Sequence, residues 1–278
     1  MKKILFPTDF SEVANNAFVH ALEFAKMVHG ELVLLHSFEL PIYDNQFFPE
    51  NYAAIYDSVE LSEFEMFKNE IPKLRAIAES HHLDKIKMYH RLKDGNLVSA
   101  IKESIADDAI DYLVIGTSGA TGWESFFMGT NASSIITDAG IPVYCVPSDA
   151  PFQKIETIGF TTRFRPKDKK ALQTVLQLAH KAKAIVKCLY VKTSNSDVSN
   201  ATIDEWKEEF KSEPIDFYII EDDDIQVIIT DFIMYKEIDV LIMLPYKRGF
   251  FEGLFHTSLT KKLATDFEIP ILSIPINE

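Results

Sequence analysis

Cysteine is nearly missing from this sequence. The two copies, Cys145 and Cys188, lie inside apolar runs. They form neither a metal-ligand spacing nor a disulfide framework, which fits a reducing compartment. Positive charge is also scarce, with 28 Lys and Arg against 42 Asp and Glu, a formal net charge of −14. A field of that sign repels polyanions and argues against nucleic acid or an anionic membrane surface as the main partner. No apolar run approaches the ~20 residues that span a bilayer. The opening Met1-Lys2-Lys3, then Ile4-Leu5-Phe6-Pro7-Thr8-Asp9, turns polar too soon for a signal peptide. The expectation is a soluble, cytoplasmic protein. An apolar content of 47% excludes disorder.

Glycine is sparse too, ten in 278 residues, below the ordinary usage of about 7%. Half of them, Gly116, Gly119, Gly122, Gly129 and Gly140, crowd into one short stretch. A glycine-poor chain that concentrates its glycines has a backbone reason to do so there.

What the chain does have is a repeat. Ile4-Leu5-Phe6-Pro7-Thr8 matches Ile158-Gly159-Phe160-Thr161-Thr162 at an offset of 154, and the same offset carries residues 32–37 onto 186–191. Further on the offset is 128, with Asp111-Tyr112-Leu113-Val114-Ile115 matching Asp239-Val240-Leu241-Ile242-Met243. Residues 141–147 match 269–275 at that offset. The lost residues place an insertion in the first half, after Ser37. Two copies at this spacing mean tandem domains rather than a solenoid. The expected boundaries are 1–148 and 152–278.

Short apolar runs at 3–8, 32–37, 112–116 and 142–146 read as strands buried on both faces. Ser11 is a candidate N-cap for a helix with Ala14, Ala17, Phe18, Ala21, Leu22 and Ala25 on one stripe. Residues 59–79 and 96–106 read as further amphipathic helices. The fold class is therefore α/β, two tandem doubly wound domains, each with a mainly parallel sheet flanked by helices. Ligands in such folds bind at the carboxyl ends of the strands.

The strand at 112–115 runs into Gly116-Thr117-Ser118-Gly119, then nine residues, then Gly129-Thr130. A helix is expected from about Asn131. Glycines after a parallel strand admit a ligand close to the backbone, and the next helix start offers N–H groups and positive potential, which suits an anion. The loop is neither a Walker A nor a Rossmann fingerprint. Taken with the opening Ile4-Leu5-Phe6-Pro7-Thr8-Asp9-Phe10-Ser11 and with Leu35-His36 closing the second strand, it closely resembles the universal stress protein family. The resemblance covers nearly the whole chain as two copies. It implies a five-stranded parallel sheet, an adenine nucleotide at the strand ends (ATP or AMP, with Mg²⁺ an open companion), and dimeric packing. Carried over, Pro7, Thr8 and Asp9 border the ribose, and the backbone of Ser37 meets the adenine, a position usually aliphatic. Gly116, Thr117, Ser118, Gly119 and Gly122 line the phosphate loop. Gly129, Thr130, Asn131 and Ala132 contact ribose and phosphates.

The second copy departs from this pattern. Asp9 becomes Arg163, Gly116 becomes Leu244, Gly119 becomes Lys247, and Gly129-Thr130 becomes Thr257-Ser258. The second half is expected to keep the fold and to have lost the usual nucleotide site. In the family the final strands often pair between domains or subunits, so the two halves here are expected to pair with each other. Homodimerisation and a protein partner stay open.

Several residues have plainer readings. Asp9 is equally a helix-entry residue beside Ser11. His36 reads as structural, and His81, His82 and His90 lack partners at metal-ligand spacing. Glu221-Asp222-Asp223-Asp224 reads as a solvated turn. The aromatic segment 38–63 reads as a lid, an interface element or a flap packed on its own domain. With no Walker-type lysine, the sequence supports a stress-response binding module over an enzyme, and any ATP hydrolysis is expected to be slow. A nucleotide-independent interaction scaffold is the alternative.

Overall fold

The computed structural model describes residues 1–39, 49–116, 139–245 and 269–275. The first half contains strands β1 (Lys2–Pro7), β2 (Gly30–Phe38), β3 (Met88–Asp94), β4 (Tyr112–Gly116) and β5 (Val143–Val146). Its described helices are α1 (Glu12–Val28), α2 (Pro49–Ser80) and α3 (Leu97–Asp108). The second half contains β6 (Thr157–Thr161), β7 (Ile185–Lys192), β8 (Ile215–Glu221), β9 (Val240–Met243) and β10 (Ile271–Ser273). Between them run α4 (Pro166–Ala182), α5 (Asn200–Glu209) and α6 (Ile225–Tyr235).

The ten strands among the described residues form one sheet, in the order β3-β2-β1-β4-β5-β10-β9-β6-β7-β8. Pairing is parallel within each half. The halves meet where β5 and β10 pair antiparallel, Ile271 opposite Cys145 and Ser273 opposite Val143. This is the internal pairing of final strands that the family resemblance implies.

The strands are apolar because both faces are covered. Ile4, Leu5 and Phe6 are fully buried. Ile4 and Phe6 join a cluster with α1 on one face, and Leu5 joins a cluster with α3 on the other. Each cluster runs through both halves. The α1 stripe read from sequence is the buried face of that helix, and Ser11 is its cap, its side chain accepting from the Ala14 N–H at 3.2 Å.

The repeat extends to single backbone conformations. Left-handed φ angles recur at Phe10 and Phe164 and at His29 and Lys183, both pairs at offset 154, and at Ala109 and Glu237 at offset 128. Asn96 caps α3, and Asp224, at offset 128, caps α6. The acidic turn 221–224 thus carries a helix cap, and Asp223 Oδ1 accepts from Ser194 N–H and Oγ–H. Asp111 Oδ2 accepts from Lys3 N–H, and Asp239 Oδ2 accepts from Thr157 N–H.

One expectation needs extension. The helix read over 59–79 starts at Pro49 and ends at Ser80, so the second part of the 38–63 insertion is helical. Residues 40–48 of that insertion lie outside the described residues. Pro72 sits inside α2 on its exposed side. Cys145 and Cys188 are buried core residues, and burial pushes the Cys145 thiol up to about 12.

Candidate functional site

The strand order places β1 between β2 and β4. The chain leaves β1 toward β2 through α1, and β4 lies on the other side. The carboxyl ends of β1 and β4 therefore flank the point where the winding reverses, where open α/β sheets take ligands. Pro7, Thr8 and Asp9 follow β1, and Gly116 ends β4. Ser37 lies near the end of β2, half-buried and in register with Lys93 of β3. Thr117, Ser118, Gly119, Gly122, Gly129, Thr130, Asn131 and Ala132 lie outside the described residues.

The β1–α1 loop is held from within. Thr8 N–H donates to Leu35 O at 2.9 Å, extending the ladder one step past the strand. Thr8 is fully buried, and its Oγ1 accepts from Phe10 N–H at 3.0 Å, which stabilises the left-handed turn at Phe10 (φ 61°). Asp9 Oδ1 accepts from Ser11 N–H at 3.0 Å and from Ser11 Oγ–H at 2.7 Å. Ser11 in turn caps α1. Asp9 therefore has the helix-entry role, its half-buried carboxylate held at the mouth of the switch point.

His36 is tied to the same loop. Its Nδ1–H donates to Thr8 O at 2.8 Å, which leaves Nε2 facing Glu63 Oε2 of α2 at 3.6 Å. Its ring packs against Phe10 at 5.1 Å and Phe67 at 6.1 Å. Phe67 also meets Phe10 at 5.7 Å. The insertion helix is thus fastened onto the strand-end loop through Phe67. Phe10, Glu63 and Phe67 carry no local sequence signal that marks them for this position. His36 has the structural partners expected of it.

The second half reproduces the loop and fills it. Thr162 N–H donates to Leu189 O at 2.9 Å, and Phe164 N–H donates to Thr162 Oγ1 at 2.9 Å. Here Asp168, fully buried at the first turn of α4, reaches back. Its Oδ2 accepts from Thr162 Oγ1–H at 3.0 Å, Arg163 N–H at 2.5 Å and Arg165 N–H at 3.3 Å. The matching residue of the first half is Ala14. Leu244, where the first half has Gly116, is buried. Among the described residues no group of three or more His, Cys, Asp or Glu could hold a metal ion.

Residues 1–147 match the sequence model of the universal stress protein family. The chain belongs to this family. Universal stress protein MJ0577 of Methanocaldococcus jannaschii is 30% identical over 157 residues, covering 52% of this chain and 94% of that protein. A universal stress protein from Archaeoglobus fulgidus DSM 4304 superposes with a TM-score of 0.72 at 16% identity, covering 99% of this chain and 97% of that one. The cytoplasmic domain of a prokaryotic cation chloride cotransporter superposes with a TM-score of 0.57 at 10% identity, covering 98% of this chain and 94% of its own. The last two likenesses establish the fold alone. A fold shared by a universal stress protein and a transporter domain leaves function to be argued from the site. Among the described residues no helix is long and apolar enough to cross a membrane.

Proposed function

We propose that this universal stress protein binds an adenine nucleotide, ATP or AMP, at the carboxyl ends of β1 and β4 in its first half. The boundaries that go with this reading are a nucleotide-binding domain at 1–148 and a second domain at 152–278 that keeps the fold without the site. The observation that carries it is the position of Thr8-Asp9 and Gly116 at the switch point, joined to the Gly-x2-Gly-x9-Gly-Thr spacing that follows Gly116.

The residues present fit such a ligand. The Asp9 carboxylate is an acceptor suited to ribose hydroxyls. The Ser37 backbone lies near the end of β2, the position that the family resemblance sets against the adenine. The phosphates would depend on main-chain N–H groups of the glycine loop and the following helix start, with the Thr130 hydroxyl as a donor. That dependence follows from charge, because residues 1–150 hold 11 Lys and Arg against 22 Asp and Glu. In the second half, the Asp168 carboxylate takes up loop donors and Leu244 replaces the glycine, which supports a single site per chain.

Binding rather than turnover is the role we assign. ATP, accompanied by Mg²⁺, or AMP acts as a ligand whose presence is read out by partners of a cytoplasmic stress-response module. The test is the nucleotide content of the purified, denatured protein, compared with Gly129→Leu. About one adenine nucleotide per chain, lost in the variant, is the expected outcome. Two per chain would restore the second half as a site. None, with no binding on adding Mg-ATP, would favour an interaction scaffold.

A further inference from the structure

A sheet that runs through both halves ends in two edges, and the two are built differently. Among the described residues these edges are β3 and β8, each paired on one side only. An edge strand leaves main-chain N–H and C=O groups open to another strand, and proteins guard such edges with charged side chains, above all lysine. The repeat allows one edge to be compared with the other. Leu32 and Val186 are repeat partners, and they lie beside Met88 of β3 and Ile215 of β8. Arg91 and Lys93 of β3 therefore correspond to Tyr218 and Ile220 of β8.

The first-half edge is guarded. Arg91 pairs with Asp108 of α3 at 2.7 Å, and Lys93 pairs with Glu103 and Asp107 at 3.1 Å each. In the second half the pairing residues are replaced. Tyr218 packs its ring on Phe232 at 5.5 Å, with Lys236 Nζ over it at 4.7 Å. Tyr235 stands where the first half has Asp107, and it is 74% exposed. β8 reads Ile215-Asp216-Phe217-Tyr218-Ile219-Ile220-Glu221, with four apolar residues in a row and neither lysine nor proline. Ile215, Phe217 and Ile219 pack against one apolar cluster and Tyr218 and Ile220 against the other, yet all five stay half-buried.

We propose that β8 is the docking edge for a second copy of this chain, paired antiparallel about a two-fold axis through Tyr218. Three observations point to a second copy. The first is self-complementarity, which a two-fold interface requires. Centred on Tyr218, the strand overlaps itself over its whole length. Phe217 then faces Ile219 of the other copy, and Tyr218 faces Tyr218, pairs of the kind that stabilise sheets. Asp216 faces Ile220 and Glu221 faces Ile215, so no acid in the strand opposes another acid. The second is charge. In a chain of net charge −14, β7, β8 and α6 with its cap are balanced, Lys187, Lys192 and Lys236 against Asp216, Glu221 and Asp231. Elsewhere two such acidic chains repel; at this corner they do not. The third is closure. With β3 guarded, pairing at β8 uses the one open edge of each chain and stops at two copies.

The proposal is independent of the nucleotide reading, because β8 is the far edge of the other half. The acidic turn at 222–224 falls beyond the paired strands, opposite residues 212–214 with Glu213 among them. Salt should screen that contact and the net charge, and so tighten the dimer.

The experiment is sedimentation equilibrium of the full chain across a concentration series. A monomer–dimer equilibrium with a dissociation constant below about 100 μM is expected, tightening severalfold between about 0.05 M and about 0.5 M salt. The triple variant Tyr218→Arg, Ile220→Lys, Lys236→Asp gives β8 the guards of β3 and should weaken the dimer at least about tenfold. If that variant does not fold, single cysteines decide the matter. Directly opposed antiparallel residues lie about 4.5–5.5 Å apart, within disulfide reach. Tyr218→Cys should therefore oxidise to a covalent dimer. Asp216→Cys, which faces Ile220, and Tyr89→Cys on β3 should not. The native Cys145 and Cys188 are buried and do not interfere. A monomer up to about 100 μM, a dimer that salt weakens, a dimer indifferent to the triple variant, or crosslinking at Tyr89→Cys as ready as at Tyr218→Cys would overturn the proposal.

Discussion

At the scale of single residues, two side chains illustrate contributions to the pH response. Burial holds His20 at about 4 in the folded state, against 6.5 in an open chain. Between those values the unfolded chain binds the extra proton, so folding stability falls as pH drops from about 6.5 to about 4, by on the order of 3 kcal/mol. His20→Phe should flatten that slope, measured by urea unfolding at several pH values. Asp108 acts further down. The hydrogen bond from Arg91 holds its carboxyl below the ordinary range, with burial opposing. Its contribution is present above the ordinary carboxylate value and is lost as pH falls through the lower folded one. Asp108→Asn should therefore weaken the protein near neutrality and reduce the additional loss in strong acid. Asp9 offers a test of another kind. Asp9→Asn keeps an acceptor for Ser11 but removes the charge, so adenine-nucleotide affinity should fall about tenfold with little change in melting temperature.

At the scale of elements, most of the fold was legible because local and tertiary preferences agree. The run from Ile4 to Phe6 could only be a strand covered on both sides, and Ser11 before the Ala14–Ala25 stripe could only open a helix. The start of α2 was not legible. Pro49 suits a first helical turn, yet the aromatics that follow it resemble an interface or lid as much as a helix. Pro72, by contrast, does not end the helix it interrupts. The candidate site was legible where the motif falls at the ends of β1 and β4. It was not legible at Glu63 and Phe67, because their position against His36 depends on how a distant helix docks. Gly30 is a position where the element itself fixes the residue. A Cβ there would meet Lys2 O at 2.8 Å and Ile4 Cδ1 at 2.7 Å. Gly30→Ala should cost about 1–3 kcal/mol in a denaturant titration, because the backbone carbonyl of the neighbouring strand cannot move aside.

At the scale of the whole molecule, the sheet and both apolar clusters run without a break from one half to the other. Asn16 Nδ2 reinforces this by donating to Ala150 O at 2.8 Å, holding the connecting segment against α1. Calorimetry should accordingly show one cooperative unfolding transition, with calorimetric and van't Hoff enthalpies in agreement. Two resolved transitions would mean that the β5–β10 contact is weaker than its burial implies. The antiparallel pairing of β5 with β10 has a further consequence, for inheritance rather than for folding. In a symmetric pair of identical chains every substitution arrives twice, once on each side of the axis. Here each half is encoded separately, so a change such as glycine to Leu244 is confined to one side of the seam. The ratio of the two kinds of half is fixed at synthesis, and covalent linkage prevents dilution from separating them.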